Sequence, residues 1–170
     1  MIQSGIWSEY LDPLVLKEGS KKCPCCERPL KAYGYELDGK IVEWAYIVLE
    51  WCANNGTTRF DPREVFKLWT GSDYKQAVSG TPSKVKDHGI VQKTRRTGVW
   101  ELTKTGYAFL HDRRRLSAKV WVFANRVVLR DDALVSVDEV DPRWKFKRSH
   151  WTMDYILQPY QIVQPQPTLL

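Results

Sequence analysis

The sequence predicts an α+β fold, because residues 81–115 place a short helix, a basic β-hairpin and a second helix in direct succession. The first of these helices spans 81–88. Thr81 can cap its N-terminus, and Pro82 fits its first turn, where the missing N–H does no harm. Gly89 can adopt the left-handed conformation that ends a helix.

The hairpin consists of two β-type runs, 90–91 and 99–102, on either side of a basic and polar tip at 93–98. Thr103 can then cap a second amphipathic helix, which we expect to end at Arg113-Arg114-Arg115. A helix, a basic hairpin and a helix in this order predict a winged helix-turn-helix core.

These residues also resemble a known family. The stretch from Lys86 to Gly106 resembles the end of the recognition helix, the wing and the start of the last helix in winged-helix proteins of the MarR-like kind. The wider chain resembles a group of small bacteriophage proteins, which open with a Cys-Pro-x-Cys-x-Arg-Pro-Leu knuckle, carry a winged helix and end in a β-hairpin. The matching segments are 23–30, 83–106 and 119–128. The resemblance implies a fold more strongly than a function, because winged helices serve many purposes.

We place the winged-helix domain at 39–117 and an N-terminal segment with a zinc-knuckle-like turn at 1–38. In this turn, Cys23 and Cys26 have the spacing that lets one tight turn present two thiolates to a tetrahedral zinc ion. A structural zinc needs four ligands, and no second Cys-x-x-Cys follows. Cys23 and Cys26 are therefore an incomplete candidate zinc site. The alternatives are a turn without metal and a site completed by a partner chain.

Few other soft donors are available to complete such a site. Cys25 lies between the two ligands, where adjacent side chains rarely point the same way. Cys52 belongs to an apolar helical stretch, which favours a core position. The three histidines are predicted to be surface or hydrogen-bonded residues; they are His88, His111 and His150.

Two helices are predicted before the basic hairpin. Asp38 can cap the first, from 39 to about 54, whose broad apolar stripe predicts contacts on more than one side. The second begins at the capping box Asp61-Pro62-Arg63-Glu64 and ends near Trp69. A further helical turn is expected from 73.

Residues 118–157 are predicted to add a β-hairpin and an arm. The strands are 119–123 and 126–130, joined by the two-residue loop Ala124-Asn125. A third strand is expected at 134–137. Because the hairpin has apolar residues on both faces, it is expected to dock on both sides, and a second subunit is one candidate partner.

The arm at 141–151 alternates basic with aromatic residues, which suits either stacking on nucleic acid or burial of the aromatic rings. The tail at 158–170 is rich in Gln and Pro and is predicted to be extended or disordered.

Charge is concentrated in the middle of the chain. The net charge is +6, whereas residues 84–119 alone hold ten Lys or Arg and three Asp or Glu, so the remainder is close to neutral. This concentration favours a polyanionic partner. On the helix at 81–88, Val85 should face inward and Asp87 outward, where it would repel phosphate. The helix offers Lys and Ser instead of the Arg, Asn or Gln typical of base readout, so we expect contacts mainly to the phosphate backbone. The predicted nucleic-acid-binding residues are Ser83, Lys84, Lys86, Lys93, Arg95, Arg96, Arg113, Arg114 and Arg115.

The favoured hypothesis is therefore a nucleic-acid-binding protein, a phage regulator or DNA-associated factor, with double-stranded DNA as partner. The alternative is a phage protein that binds and inhibits or redirects a host protein. We find no nucleotide loop, metalloprotease motif or paired carboxylates, and expect no enzyme activity. We also expect a cytoplasmic protein, since no apolar run has membrane-spanning length and four cysteines fit reduced thiols or metal ligands.

Overall fold

A computed structural model describes residues 12–19, 21–70 and 80–143, and their fold is mixed α+β. In chain order the elements are α1 (Pro13–Glu18), β1 (Lys21–Lys22), β2 (Pro29–Leu30), β3 (Tyr33–Glu36), α2 (Gly39–Asn55), β4 (Arg59–Phe60), α3 (Pro62–Thr70), α4 (Gly80–Asp87), β5 (Val91–Lys93), β6 (Trp100–Leu102), α5 (Lys104–Leu110), β7 (Leu116–Ser117), β8 (Lys119–Phe123), β9 (Arg126–Arg130), β10 (Leu134–Val135) and α6 (Val137–Val140).

The chain divides into two compact units. One, the knuckle unit, contains the described residues up to Leu37 together with Arg115–Val135, and the other, the helical unit, contains Asp38–Arg114 and the described residues from Ser136 onwards. The N-terminal segment and the C-terminal hairpin, which are far apart in sequence, thus fold together.

The knuckle unit is built on the three-stranded antiparallel sheet β3-β8-β9. Strand β3 pairs with β8 from Tyr33 opposite Val122 to Glu36 opposite Lys119. The loop between β8 and β9 is Ala124-Asn125, as predicted, and both residues have positive φ, 47° and 63°. Both positive angles are what a tight hairpin turn of matching twist requires.

The core of the knuckle unit is small. Leu16 of α1, Leu30, Ala32 and Trp121 form its buried cluster. Lys17 lies over the Trp121 ring, with its Nζ 4.3 Å from the ring centroid. The hairpin therefore uses Trp121 to hold α1 against the sheet.

The helical unit is organised around α2. The Asp38 side chain accepts the N–H of Ile41 at 2.9 Å, and Gly56 ends the helix at a φ of 60°. Both ends agree with the sequence prediction to within a residue. Helix α2 packs against α3, α4 and α5, so its apolar stripe is covered on several sides. Trp44 and Phe60 are buried there with their rings edge to face.

A second three-stranded antiparallel sheet, in the order β4-β6-β5, borders these helices. Helix α4 ends at Asp87, and Gly89 follows it with a φ of 80°, so the predicted left-handed residue is confirmed. The Thr103 side chain caps α5 by accepting the Gly106 N–H at 2.8 Å and donates to the Gly89 carbonyl at 2.7 Å. One side chain therefore joins the end of α4 to the start of α5.

Two predicted boundaries differ from the structure. Helix α4 begins at Gly80, so Thr81 lies inside the helix instead of capping it. The third strand ends at Val135, and Val137 opens a short helix, because Ser136 and Glu139 form a capping box. The predicted helical turn from 73, the aromatic part of the arm and the tail lie outside the described residues. None of the helices in the described part of the chain has the length and apolar character needed to cross a membrane.

Candidate nucleic-acid interface

Helix α4 presents a small polar face. Val85 is fully buried, as predicted, and Ser83 is exposed. Lys84 and Lys86 are half-buried, so part of each side chain lies against the fold. The helix therefore offers phosphate fewer freely accessible charges than its sequence indicates.

Asp87 is the clearest departure from expectation on α4. Predicted to face outward, it is buried, with 6% of its side chain exposed, and its carboxylate lies 2.8 Å from the Lys86 ammonium. Asp87 is the last residue of α4 and is followed by His88 and Ile90, which are both buried, so the chain enters the core at this point. Lys86 is thus paired, and its charge is largely offset by a neighbour in the same helix.

The loop between β5 and β6, residues 94–99, is here called the basic loop. Hydrogen bonds of the Thr94 side chain hold its conformation. The Thr94 hydroxyl donates to the Val99 carbonyl at 2.8 Å and accepts the Arg96 N–H at 3.2 Å. Gly98 has a φ of 79°, which lets the chain turn back into β6. These bonds hold the tip so that Arg95 and Arg96 extend into solvent.

The basic loop borders a cavity of about 800 Å³, and the start of α3 forms the opposite wall. Lys93, Arg95 and Arg96 line it from the hairpin and Arg63 from α3. Asp61 is the one acidic group among the lining residues, and its carboxylate already accepts the Arg63 N–H at 2.8 Å. Four cations against one carboxylate make this loop cavity strongly positive.

Arg63 was not among the residues predicted to bind nucleic acid. Its sequence context, the first turn of a helix, says nothing about the basic loop thirty residues later. The two meet because β4 pairs with β6, with Phe60 opposite Trp100, which places the start of α3 beside the loop. A single basic residue at a helix start is the only sequence signal.

Glu101 on β6 is an acidic residue that offsets positive charge within the sheet β4-β6-β5. Its carboxylate accepts from the Gln92 amide at 3.1 Å and lies 3.9 Å from the Arg59 guanidinium. Arg59 is therefore partly neutralised on β4, whereas Arg63, four residues further along the chain, lines the loop cavity.

The arginine run follows α5 instead of ending it. The helix stops at Leu110, Asp112 takes a left-handed conformation with a φ of 56°, and the Arg113 N–H donates to the Ala108 carbonyl. Arg113 and Arg114 are exposed on the helical unit. Arg115 belongs to the knuckle unit, where its guanidinium donates to the Leu134 carbonyl at 2.9 Å.

The predicted zinc ligands lie on the loop between β1 and β2, residues 23–28, which we call the cysteine knuckle. Cys23 is partly buried, and Cys25 and Cys26 are exposed. The backbone N–H groups of Cys25 and Cys26 donate to the Cys23 sulfur, which lowers the pKa of that thiol. Among the described residues, no group of three or more Cys, His, Asp or Glu side chains is placed to hold a metal ion.

The other Cys and His residues considered as zinc ligands occupy buried or hydrogen-bonded positions where the structure describes them. Cys52 is buried in α2, and burial raises the pKa of its thiol to about 12. His88 is buried in the helical unit. The Nδ1 of His111 lies 2.8 Å from the Tyr107 carbonyl. His150 lies outside the described residues.

Comparison of the chain with protein-family models, with curated proteins and with solved structures found no match in any of the three.

Proposed function

We propose that the helical unit is a winged helix-turn-helix module that binds double-stranded DNA, largely through phosphate contacts. The order α2, β4, α3, α4, β5, β6 supports this proposal, as does the sheet order in which β6 lies between β4 and β5. In a module of this kind the second helix of the helix-turn-helix pair enters a groove, and here that helix is α4. The basic loop takes the position of the wing.

The observation that carries the proposal is the loop cavity. Lys93, Arg95, Arg96 and Arg63 surround one concave space with a single lining carboxylate. Duplex DNA carries a phosphate charge about every 1.7 Å along its axis, so several of these cations can each meet a phosphate. The guanidinium groups can also bind phosphate oxygens in pairs.

Backbone contact is favoured over base readout. Ser83 and Lys84 are the outward-facing polar residues of α4, and Lys86 is paired with Asp87. Bidentate recognition of a base needs Arg, Asn or Gln at such positions. We therefore expect affinity that depends little on DNA sequence. Arg113 and Arg114, which are exposed on the same unit, remain predicted to contact phosphates.

The test is fluorescence anisotropy with labelled duplexes of unrelated sequence, measured over a series of salt concentrations. The wild type is expected to bind all duplexes with similar affinity, and the affinity should fall steeply with salt. The double variant R95A/R96A should bind every duplex more weakly and reduce the log–log salt slope by about 2, since each lost phosphate contact contributes about 0.9.

The matched control is R126A/R130A, which removes two exposed arginines from β9 of the knuckle unit and so changes the net charge equally. Equal weakening by both double variants would show that net charge alone is responsible. Absence of binding to any duplex at low salt would remove the proposal.

A second candidate function is docking on a host protein, which the resemblance to phage proteins also allows. The observation that favours it is exposed apolar surface on the knuckle unit, where 60% of Leu14 and 64% of Tyr33 are accessible. Isolation of a host protein whose binding is lost in Y33A, with no DNA binding by the wild type, would favour this second function.

A further inference from the structure

Trp100 of β6 lies where the core of the helical unit meets the loop cavity. Its partners across the sheet are Phe60 of β4 and Lys93 of β5, and directly paired residues project from the same face. Leu102, two residues further along β6, shares this face. Phe60 and Leu102 are both buried, whereas Trp100 is partly exposed and is one of the residues that line the cavity. The core face of the sheet thus ends, beside the cavity, in a tryptophan that is not fully covered.

The acidic neighbour of Trp100 lies on the other face of the sheet. Glu101 pairs with Gln92 of β5 and Arg59 of β4, and its carboxylate contacts both of their side chains. Because successive residues of a strand point to opposite faces, this carboxylate is directed away from the face that carries Trp100. Glu101 is not among the residues that line the loop cavity. The positive charge beside Trp100 is therefore not offset by the nearest acidic residue along the strand.

Cations and an aromatic ring share this one cavity. The Lys93 Nζ lies over the Trp100 ring, 5.7 Å from its centroid, within the range of a cation–π contact. Arg63, Arg95 and Arg96 line the same space. A guanidinium or ammonium group binds a phosphate, and an indole ring stacks on a flat base. The cavity thus combines the two kinds of contact that one nucleotide offers.

The size of the loop cavity fits a single nucleotide. Its volume is about 800 Å³, and pockets that hold drug-sized molecules, of which a nucleotide is one, measure about 300–1,000 Å³. Stacking of a base on an aromatic side chain tolerates any sequence, because every base has a flat face. This contact therefore agrees with the weak base readout expected of α4.

A base within a duplex is not available to the Trp100 ring. Its two faces are covered by the neighbouring base pairs, and taking it out of the stack costs the free energy of pairing and stacking. A base in a single-stranded overhang is already unpaired. We propose that the loop cavity holds one unpaired nucleotide of an overhang at the end of a DNA duplex, with the base on Trp100 and its phosphate among the four cations. This inference rests on the proposed binding of duplex DNA and adds a preference for ends that carry an overhang.

The test compares three DNA molecules that share one duplex sequence, by fluorescence anisotropy with the full chain at a single salt concentration. The first is blunt, the second has a short overhang, and the third has the same overhang with abasic sugars in place of its nucleosides. The second and third carry the same number of phosphates, so they differ only in the bases. The normal overhang is expected to bind more tightly than the abasic one by about fivefold or more, the ratio that corresponds to about 1 kcal/mol, the lower end of the contribution of one stacked base.

The variant W100L removes the ring and keeps an apolar side chain at the end of the core. The ratio of affinities for the normal and the abasic overhang should fall to near 1 in W100L and should be partly retained in W100F. The matched control is W51L, which replaces another partly exposed tryptophan, on α2, outside the lining of the loop cavity. W51L should keep the wild-type ratio. Urea unfolding shows whether each variant is folded, and the comparison of the two overhangs by the wild type holds without any variant.

Two results would overturn the inference and leave the proposed function in place. One is equal affinity of the wild type for the normal and the abasic overhang, together with binding of the blunt duplex. The other is a folded W100L variant that keeps the wild-type ratio. Absence of binding to all three molecules at low salt would instead remove both the proposed function and this inference.

Discussion

Gly106 of α5 lies directly against the backbone of Ile90, which comes three residues after the end of α4. A methyl group at Gly106 would come within 2.7 Å of the Ile90 Cα and would overlap its carbonyl oxygen. The same carbonyl accepts the Thr103 N–H at 3.0 Å, so displacing it would weaken this hydrogen bond as well. This close approach holds α4, and with it the proposed DNA-contacting face, in position.

Replacing Gly106 by Ala should therefore destabilise the helical unit, although alanine is the better helix former. Overpacking in a well-packed core costs about 1–3 kcal/mol, and here the obstacle is backbone, so we expect a loss at the upper end. The measurement is urea unfolding followed by circular dichroism. The control is G39A at the start of α2, where no atom lies within 4 Å of the new methyl group. Equal stability of the two variants would contradict the close packing.

Arg63 and Arg59 allow a test of the loop cavity with single substitutions. Arg63 lines the cavity, whereas the Arg59 guanidinium lies 3.9 Å from Glu101. R63A should weaken duplex binding and reduce the salt slope by about 0.9, as the loss of one phosphate contact does. R59A removes the same charge and should have a clearly smaller effect. Anisotropy titrations at several salt concentrations distinguish the two, and a larger effect of R59A would mean that the cavity is not the binding surface.

Lys86 should matter more for stability than for DNA binding. Its ammonium is paired with the buried carboxylate of Asp87 at 2.8 Å. K86A leaves that carboxylate without this partner, which should cost on the order of 1–3 kcal/mol of unfolding free energy. Because the charge of Lys86 is already offset, its loss should change duplex affinity less than K93A does. Urea unfolding measures the stability of both variants, and anisotropy measures their affinity for duplex DNA. A stable K86A variant that binds DNA much more weakly would contradict this prediction.

The buried thiol of Cys52 predicts a loss of stability at alkaline pH. Its pKa is raised from 9.0 to about 12, so the folded protein keeps the thiol proton in a range where the unfolded chain releases it. This contribution is fully present below pH 9 and is lost as the pH rises towards 12, with a slope of up to about 1.4 kcal/mol per pH unit. C52A should show a shallower decline in unfolding free energy than the wild type over this range. C25A, which removes an exposed thiol, should retain the wild-type slope.

Local features of the chain were predictable because they depend on a few adjacent residues. Asp38 caps α2 and Thr103 caps α5. Gly89 has a positive φ just after α4, and Ala124-Asn125 forms the turn of the hairpin. Each of these caps and turns depends on which of a few backbone conformations the local residues favour. The same reasoning was wrong for Val137, because the capping box of Ser136 and Glu139 prevailed over its β-type neighbours.

The sequence by itself determined the α+β class, both ends of α2, the start of α5, the hairpin and the concentration of positive charge between 84 and 119. Only the tertiary structure decided which charges are available. Strand pairing between β4 and β6 brought Arg63 to the basic loop, and burial joined Asp87 to Lys86. Pairing of β3 with β8 likewise placed the N-terminal knuckle and the C-terminal hairpin in one unit. The strand pairings join residues far apart in the chain, and the burial of Asp87 depends on the packing around α4. In both cases packing of the whole unit and not local preference sets the lowest free energy.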